Sequence, residues 1–117
     1  MSKAVLAKPK KKMEIVDIAE PIDLQQLGQL IGADYVEIVK AHRLPDGYVM
    51  IVDEDGKLKE NEVNKPCSYL YGADYHGDPI VGNALILQET YGLQGPELAG
   101  LEEDDAAVIV MLYGGGV

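Results

Sequence analysis

The segment Tyr35–Val52, YVEIVKAHRLPDGYVMIV, is the most informative about the fold because it contains two strand-like runs joined by a turn. The runs are Tyr35–Lys40 and Tyr48–Val52, which are rich in the β-branched and tyrosine side chains that favour strands. Between them, Leu44–Gly47 (LPDG) combines the residue types that tight turns prefer. The stretch therefore predicts a β-hairpin of two antiparallel strands.

A short helix is predicted on the N-terminal side of this hairpin. Leu24, Leu27 and Ile31 recur at helical spacing, which places them on one face of a helix. Asp23 precedes the run and is a residue type that caps helix N-termini. Gly32 follows the run, at the position where helices commonly end.

The beginning of the chain differs in charge from the rest. Residues 1–12 are expected to form a basic N-terminal arm or an edge strand that is broken at Pro9. Strand-like sequence continues over Met13–Ile18. Residues 13–117 are expected to form a single α+β domain, since a chain of 117 residues is long enough to bury one hydrophobic core.

Short elements are predicted on the C-terminal side of the hairpin. A second turn falls at Asp53–Lys57, and Pro66–Gly72 has the length of a helical turn that begins at a proline. Ile80–Gln88 has the composition of a buried strand. Residues 92–96, which include two glycines and a proline, are expected to form a loop.

The last segment is compatible with two structures. Four acidic residues, Glu102–Asp105, would be stabilised at the N-terminus of a helix that closes at Gly114. Val108–Leu112 is equally compatible with a strand. The predicted fold class is α+β, with a curved, mostly antiparallel sheet and one or two short helices.

Cysteine content and hydropathy narrow the expected compartment. A single cysteine cannot form a disulfide within the chain, so we expect a reducing, cytoplasmic location. No apolar run approaches the ~20 residues of a membrane-spanning helix, and no membrane partner is expected.

Charge is distributed unevenly along the chain. The formal net charge is −10, yet five of the ten basic residues lie within Lys3–Lys12. From Pro66 to Val117 there are eight acidic residues and no Lys or Arg. Such a field repels nucleic-acid phosphates and attracts basic proteins, so direct nucleic-acid binding is not expected.

The candidate ligand site lies in Asn64–Gly82, NKPCSYLYGADYHGDPIVG, where tyrosines and small polar residues alternate with turn residues. This mixture of aromatic faces and hydrogen-bonding groups suits a pocket for a small ligand. The predicted ligand-binding residues are Asn64, Lys65, Ser68, Tyr69, Tyr71, Tyr75 and His76. In this hypothesis the tyrosine rings stack on a planar base. The alternative is that Tyr69 and Tyr71 only hold the segment against the sheet.

Phosphate groups of such a ligand would need cations or backbone N–H groups. Backbone N–H groups near the glycines are one source. The nearby cationic side chains are the other, and they are Lys40, Arg43, Lys57, Lys59 and Lys65.

Two motifs in the same segment have both a chemical and a structural interpretation. Asp74, His76 and Asp78 would align as metal ligands in an extended strand, but the flanking Gly and Pro favour a turn with solvated side chains. Cys67 and His76 lack the flanking signature of a thiol nucleophile and its base, so a small buried or half-buried cysteine is favoured. We therefore predict no catalytic residue, no metal site and no cofactor. An enzyme is the less favoured alternative.

A longer range of the sequence, within residues 13–88, is similar to a known family. The hairpin run from Asp34 to Gly72, followed by His76–Leu87 (HGDPIVGNALIL), resembles an uncharacterised family catalogued as domain of unknown function 3846. The matching features are Gly32–Val39, Asp53–Lys59, Asn64 and Pro79–Ile86 within residues 13–88. The resemblance brings no activity and no catalytic residues. It implies an accessory protein of phages or other mobile elements, where counter-defence roles are common.

Two functions are consistent with these patterns. The first is a non-enzymatic accessory protein that sequesters a small nucleotide-type signalling molecule, and so acts in counter-defence. Because cations are scarce, we expect such a protein to gather them by forming a homo-oligomer. The second is an acidic inhibitor that mimics nucleic acid and binds a basic host nuclease or defence protein.

Overall fold

A computed structural model describes residues 2–59 and 61–114 of the chain. It contains six β-strands and four short α-helices, and a 3₁₀ turn at Gly56–Lys59. The strands are β1 Ser2–Ala7, β2 Glu14–Ile18, β3 Val36–Lys40, β4 Tyr48–Asp53, β5 Ala84–Gly92 and β6 Gly95–Ala99. The helices are α1 Leu24–Ile31, α2 Lys65–Tyr71, α3 Ala73–His76 and α4 Glu103–Tyr113.

The strands form one antiparallel sheet in the order β2-β1-β5-β4-β3, and β6 pairs with the second half of β5. This arrangement confirms the predicted α+β class. The central hairpin is confirmed as well, since β3 and β4 pair with Ile38 opposite Ile51 and Lys40 opposite Val49. The turn between them contains Gly47 at a φ of 96°, a left-handed conformation that glycine adopts without strain.

Alternation along the strands divides the core into two layers, one on each face of the sheet. Met50 and Val52 of β4 point to the face that is covered by α2 and α4. Val49 and Ile51 point to the opposite face, which is covered by α1. A period of two in the side chains is what allows one strand to serve both layers.

The helix ends have the caps that the sequence indicates. Asp23 accepts a hydrogen bond of 2.8 Å from the Gln26 N–H at the start of α1, and Gly32 ends the helix in a left-handed conformation. Residues 103–113 form a helix, so the helical interpretation of the last segment is confirmed. Three acidic residues lie in its first turn, where their negative charges interact favourably with the positive end of the helix dipole.

Two parts of the sheet differ from expectation. β1 lies between β2 and β5, so the strand expected within the basic arm is inside the sheet rather than at its edge. The loop expected at residues 92–96 is instead a hairpin turn between β5 and β6, in which Gly92 pairs with Gly95. Gly95 has a φ of 108° that permits this tight connection. Pro96 is tolerated because β6 pairs with β5 on one side and has no described strand on the other.

Candidate ligand site

The predicted ligand segment forms α2, α3 and the loop that follows them, and Asn64 anchors its start. The Asn64 Oδ1 atom accepts a hydrogen bond of 3.2 Å from the Cys67 N–H, which caps α2. Its Nδ2 atom donates to the carbonyl oxygens of Ala7 and Gly82, at 3.0 Å each. Asn64 is fully buried, so its side chain joins α2, β1 and the loop before β5.

Ser68 has a similar structural role one turn later. Its Oγ atom accepts a hydrogen bond of 2.8 Å from the Ile80 N–H and donates one of 3.1 Å to the Ile80 carbonyl oxygen. Ser68 is buried. The polar groups of Asn64 and Ser68, two of the predicted ligand-binding residues, are therefore turned inward and bonded to backbone.

Tyr69 and Tyr75 flank Arg43, a residue in the loop between β3 and β4. The guanidinium carbon lies 4.1 Å from the centre of the Tyr69 ring and 5.0 Å from that of Tyr75. The same guanidinium binds both carboxylate oxygens of Asp74, at 2.7 and 2.8 Å, which lowers the pKa of Asp74. Arg43 was a candidate phosphate contact, but it is engaged by this segment of its own chain.

Tyr71 and His76 lie together on the neighbouring side of the segment. The Tyr71 ring stacks on His42 with the ring centres 6.0 Å apart. The rings of Tyr71 and His76 make an edge-to-face contact with their centres 4.8 Å apart. The cavity beside Tyr71 measures only about 110 Å³, and it is lined by four carboxylates and one lysine, those of Glu37, Asp53, Glu54, Asp78 and Lys57. A small acidic cavity is a poor site for a nucleotide. Lys65, the last predicted contact, is exposed at the first position of α2.

The other candidate chemistry of this segment is explained by structure. Cys67 is fully buried, and burial raises the pKa of its thiol to about 12. Asp78 forms an ion pair with Lys57, and Asp74 is held by Arg43. Within the ranges that the structure describes, no group of three or more His, Cys, Asp or Glu is placed to hold a metal ion.

A larger cleft opens next to the cavity beside Tyr71, with Asp53 lining both, and we call it the lysine cleft. Its volume is about 480 Å³. It lies between the β1–β2 connection, the end of α1, the end of β4 and the loop before β5. The lining residues are Lys8, Pro9, Lys11, Ile31, Gly32, Asp53, Asn61, Glu62, Gly82 and Asn83.

The carboxylates of the lysine cleft have cationic partners. Glu62 pairs with Lys10 at 3.0 Å, and the Asp53 carboxylate accepts a hydrogen bond of 2.8 Å from Lys59. Lys8 and Lys11 form no ion pair with any described residue, although both line the cleft. The cleft and its immediate partners therefore bring together four lysines and two carboxylates, in a chain whose net charge is −10.

Two asparagine amides complete the polar lining. The Asn83 Nδ2 atom donates a hydrogen bond of 3.2 Å to the Ile31 carbonyl oxygen at the end of α1. This bond occupies a carbonyl that would otherwise repel an anion, because helix C-termini carry partial negative charge. The Asn61 Nδ2 atom makes only a long contact of 3.4 Å to the Gly56 carbonyl oxygen, so the Asn61 amide is the more available of the two.

The sequence prediction missed the lysine cleft. The run of lysines in residues 8–12 is evident in the sequence, but Asn61 is about 50 positions away along the chain and Asn83 more than 70. Only the sheet brings them together, since β1 pairs with β5 directly after Asn83.

None of the helices that the structure describes could span a membrane. The longest of them, α4, extends from Glu103 to Tyr113, and none is both long and apolar enough for a membrane span.

Comparison with known proteins identifies the family. No curated protein and no solved structure matches the chain. The family model described as "Domain of unknown function (DUF3846)" matches residues 1–108, which extends the resemblance seen in residues 13–88 to β1 and to the first half of α4. The chain therefore belongs to the DUF3846 family.

Proposed function

We propose that this protein is a non-enzymatic binding protein that sequesters a small nucleotide-type molecule in the lysine cleft. The observation that carries the proposal is the position of Lys8 and Lys11, which face the same cleft without an ion-pair partner among the described residues. Lysine ammonium groups bind phosphates as mobile point charges. The ligand would therefore place its phosphates against these two side chains.

The size and lining of the cleft support the same class of ligand. A volume of about 480 Å³ lies within the range of ordinary small-ligand sites. The amides of Asn61 and Asn83 supply the donors and acceptors that read the edge of a base or a sugar hydroxyl. The cleft is built by a single chain, so a homo-oligomer is not required for binding.

Sequestration fits these groups better than catalysis does. Lysines, amides and paired carboxylates hold an anion by charge and hydrogen bonds, while the buried Cys67 thiol is far from ionisation. In this proposal a cytoplasmic accessory protein of a mobile element lowers the free concentration of a host signal without consuming it.

The test is isothermal titration calorimetry with a panel of cyclic dinucleotides, cyclic trinucleotides and ADP-ribose isomers. The double variant Lys8→Ala/Lys11→Ala should bind the active ligand at least about tenfold more weakly, because it loses two charge-assisted contacts. The control variant Lys40→Ala/Lys65→Ala removes the same charge outside the cleft, and it should bind like the unchanged protein.

A third variant separates the lysine cleft from the tyrosine segment. Tyr69→Ala/Tyr75→Ala should leave the dissociation constant unchanged if the ligand lies in the cleft. A ligand that depends on these tyrosines and not on Lys8 and Lys11 would overturn the choice of site. The absence of binding across the whole panel would overturn the proposed ligand class.

A further inference from the structure

The C-terminal helix α4 exposes an apolar side that no described residue covers. Val108, Met111 and Leu112 are 47%, 74% and 63% exposed, and their spacing places them on one side of the helix. Large apolar side chains are usually exposed singly on a protein surface, so three on adjacent turns form an unusual group.

The opposite side of α4 holds the helix firmly on the sheet. Ala106 and Ile109 are buried against the core layer that also contains Val5 and Met13. Ile15 of the edge strand β2 is 38% exposed and pairs with Val5, which places it on the sheet face that α4 covers. We call Ile15, Val108, Met111 and Leu112 the α4 surface.

One end of the α4 surface is acidic. Asp104 and Asp105 precede Val108 and Ile109 by about one helical turn, and Glu102 and Glu103 adjoin them. All four carboxylates are exposed. The partner of such a surface needs an apolar row that is followed by cations.

We propose that the α4 surface binds a basic amphipathic helix of another protein. Its apolar side would pack on Val108, Met111 and Leu112, and its Lys or Arg residues would meet the carboxylates of Asp104 and Asp105. A second copy of this chain satisfies the apolar requirement but not the charge, because its own α4 surface carries the same carboxylates and no Lys or Arg follows Lys65. Charge complementarity therefore favours a basic partner over self-association.

The test uses two synthetic amphipathic helices of about 18 residues, long enough for five turns. Both have leucines on one side, and the other side carries lysines in the probe and glutamates in its control. Fluorescence anisotropy should show binding of the lysine helix and not of the glutamate helix. Met111→Gln/Leu112→Gln, which changes no charge, should weaken this binding at least about tenfold.

Matched variants distinguish the α4 surface from general attraction to an acidic protein. Leu24→Gln/Leu93→Gln replaces two other exposed leucines and should bind the lysine helix normally. Asp104→Asn/Asp105→Asn should weaken binding at low salt, whereas Asp34→Asn/Glu37→Gln at the opposite sheet edge should not. Circular dichroism of each variant should be measured to check that it is folded.

Several outcomes would overturn the proposal. These are no binding of the lysine helix, equal binding of both helices, or equal losses in the α4 and control variants. A dimer in analytical ultracentrifugation that Met111→Gln/Leu112→Gln dissociates would also overturn it, since a second copy would then occupy the surface.

Discussion

Some buried polar residues of this protein stabilise the fold, although their chemical type also suits ligand binding. Asn64 makes three hydrogen bonds to backbone groups of α2, β1 and the loop before β5. It therefore ties three parts of the chain that are distant in sequence. An asparagine in a tyrosine-rich segment resembles a ligand contact, but its burial assigns it to the framework.

Asn64→Ala should lower the free energy of unfolding by about 2–4 kcal/mol, because it removes a helix cap and leaves buried carbonyl groups without a donor. Asn61→Ala, an exposed asparagine with one long hydrogen bond, should cost less than about 0.5 kcal/mol. Urea unfolding monitored by circular dichroism measures both. Similar values for the two variants would contradict the structural role of Asn64.

Cys67 should resist thiol reagents in the folded protein. Burial raises its pKa to about 12, so the thiolate fraction at about pH 8 is very small and the sulfur is also shielded from the reagent. Labelling with a chromogenic disulfide should be slow in buffer and fast in guanidinium chloride, where the pKa returns to its ordinary value. Rapid labelling of the folded protein would show that Cys67 is accessible.

Between elements, polar contacts fix the positions that hydrophobic packing leaves open. Arg43 links the β3–β4 loop to α2 and α3, through the rings of Tyr69 and Tyr75 and the carboxylate of Asp74. The tyrosines that the sequence offered as ligand contacts are thus part of a contact between elements. Neither Tyr69 nor Tyr75 lines the lysine cleft or the small cavity beside Tyr71.

Arg43→Lys should lower the melting temperature at neutral pH, because lysine keeps the charge but loses the planar contact with the rings and the paired hydrogen bonds to Asp74. The pKa of Asp74 is lowered by Arg43, so this stabilisation is present above the ordinary value of 3.8 and is lost as the pH falls through the folded-state pKa. Thermal scans from neutral to acidic pH should therefore show the two proteins converging.

Lys57→Arg is the matched control for that prediction. Lys57 pairs with Asp78 at an exposed position, where either cation serves. Its melting temperature should follow that of the unchanged protein at every pH. A constant difference between Arg43→Lys and the unchanged protein, down to acidic pH, would exclude Asp74 as the partner that matters.

Over the whole molecule, we expect repulsion among the excess carboxylates to be the largest electrostatic contribution to stability. The chain carries a net charge of −10, and four of its ten basic residues lie at or beside the lysine cleft. The nucleotide-sequestration proposal depends on the lysines of the lysine cleft. The α4 proposal depends on the carboxylates at the start of α4. The alternative of an acidic inhibitor that mimics nucleic acid stays a prediction, and salt-sensitive binding to a basic nuclease would support it.

Added sodium chloride should raise the melting temperature by a few degrees at neutral pH, because counter-ions screen the repulsion among carboxylates more than they weaken the few ion pairs. Differential scanning calorimetry over a series of salt concentrations measures this shift. An uncharged osmolyte at the same osmolality provides the comparison. A melting temperature that falls with salt would mean that specific ion pairs such as Arg43–Asp74 outweigh the net charge.

The local elements of this protein are largely predictable from its sequence. β-Branched runs and the turn between them predicted β3 and β4, Asp23 and Gly32 marked the ends of α1, and Pro66–Gly72 identified most of α2. Each of these signals lies within a few residues, where backbone preferences and capping act directly. The β5–β6 hairpin was missed because its glycines and proline are equally compatible with an open loop.

Contacts between distant side chains depend on the tertiary structure. It turned Asn64 and Ser68 inward, placed Arg43 between two tyrosines, and brought Lys8 and Lys11 to Asn61 and Asn83. These contacts depend on strand order and on which face each helix covers. Neither property leaves a local pattern, because the pairing of β1 with β5 joins segments separated by most of the chain.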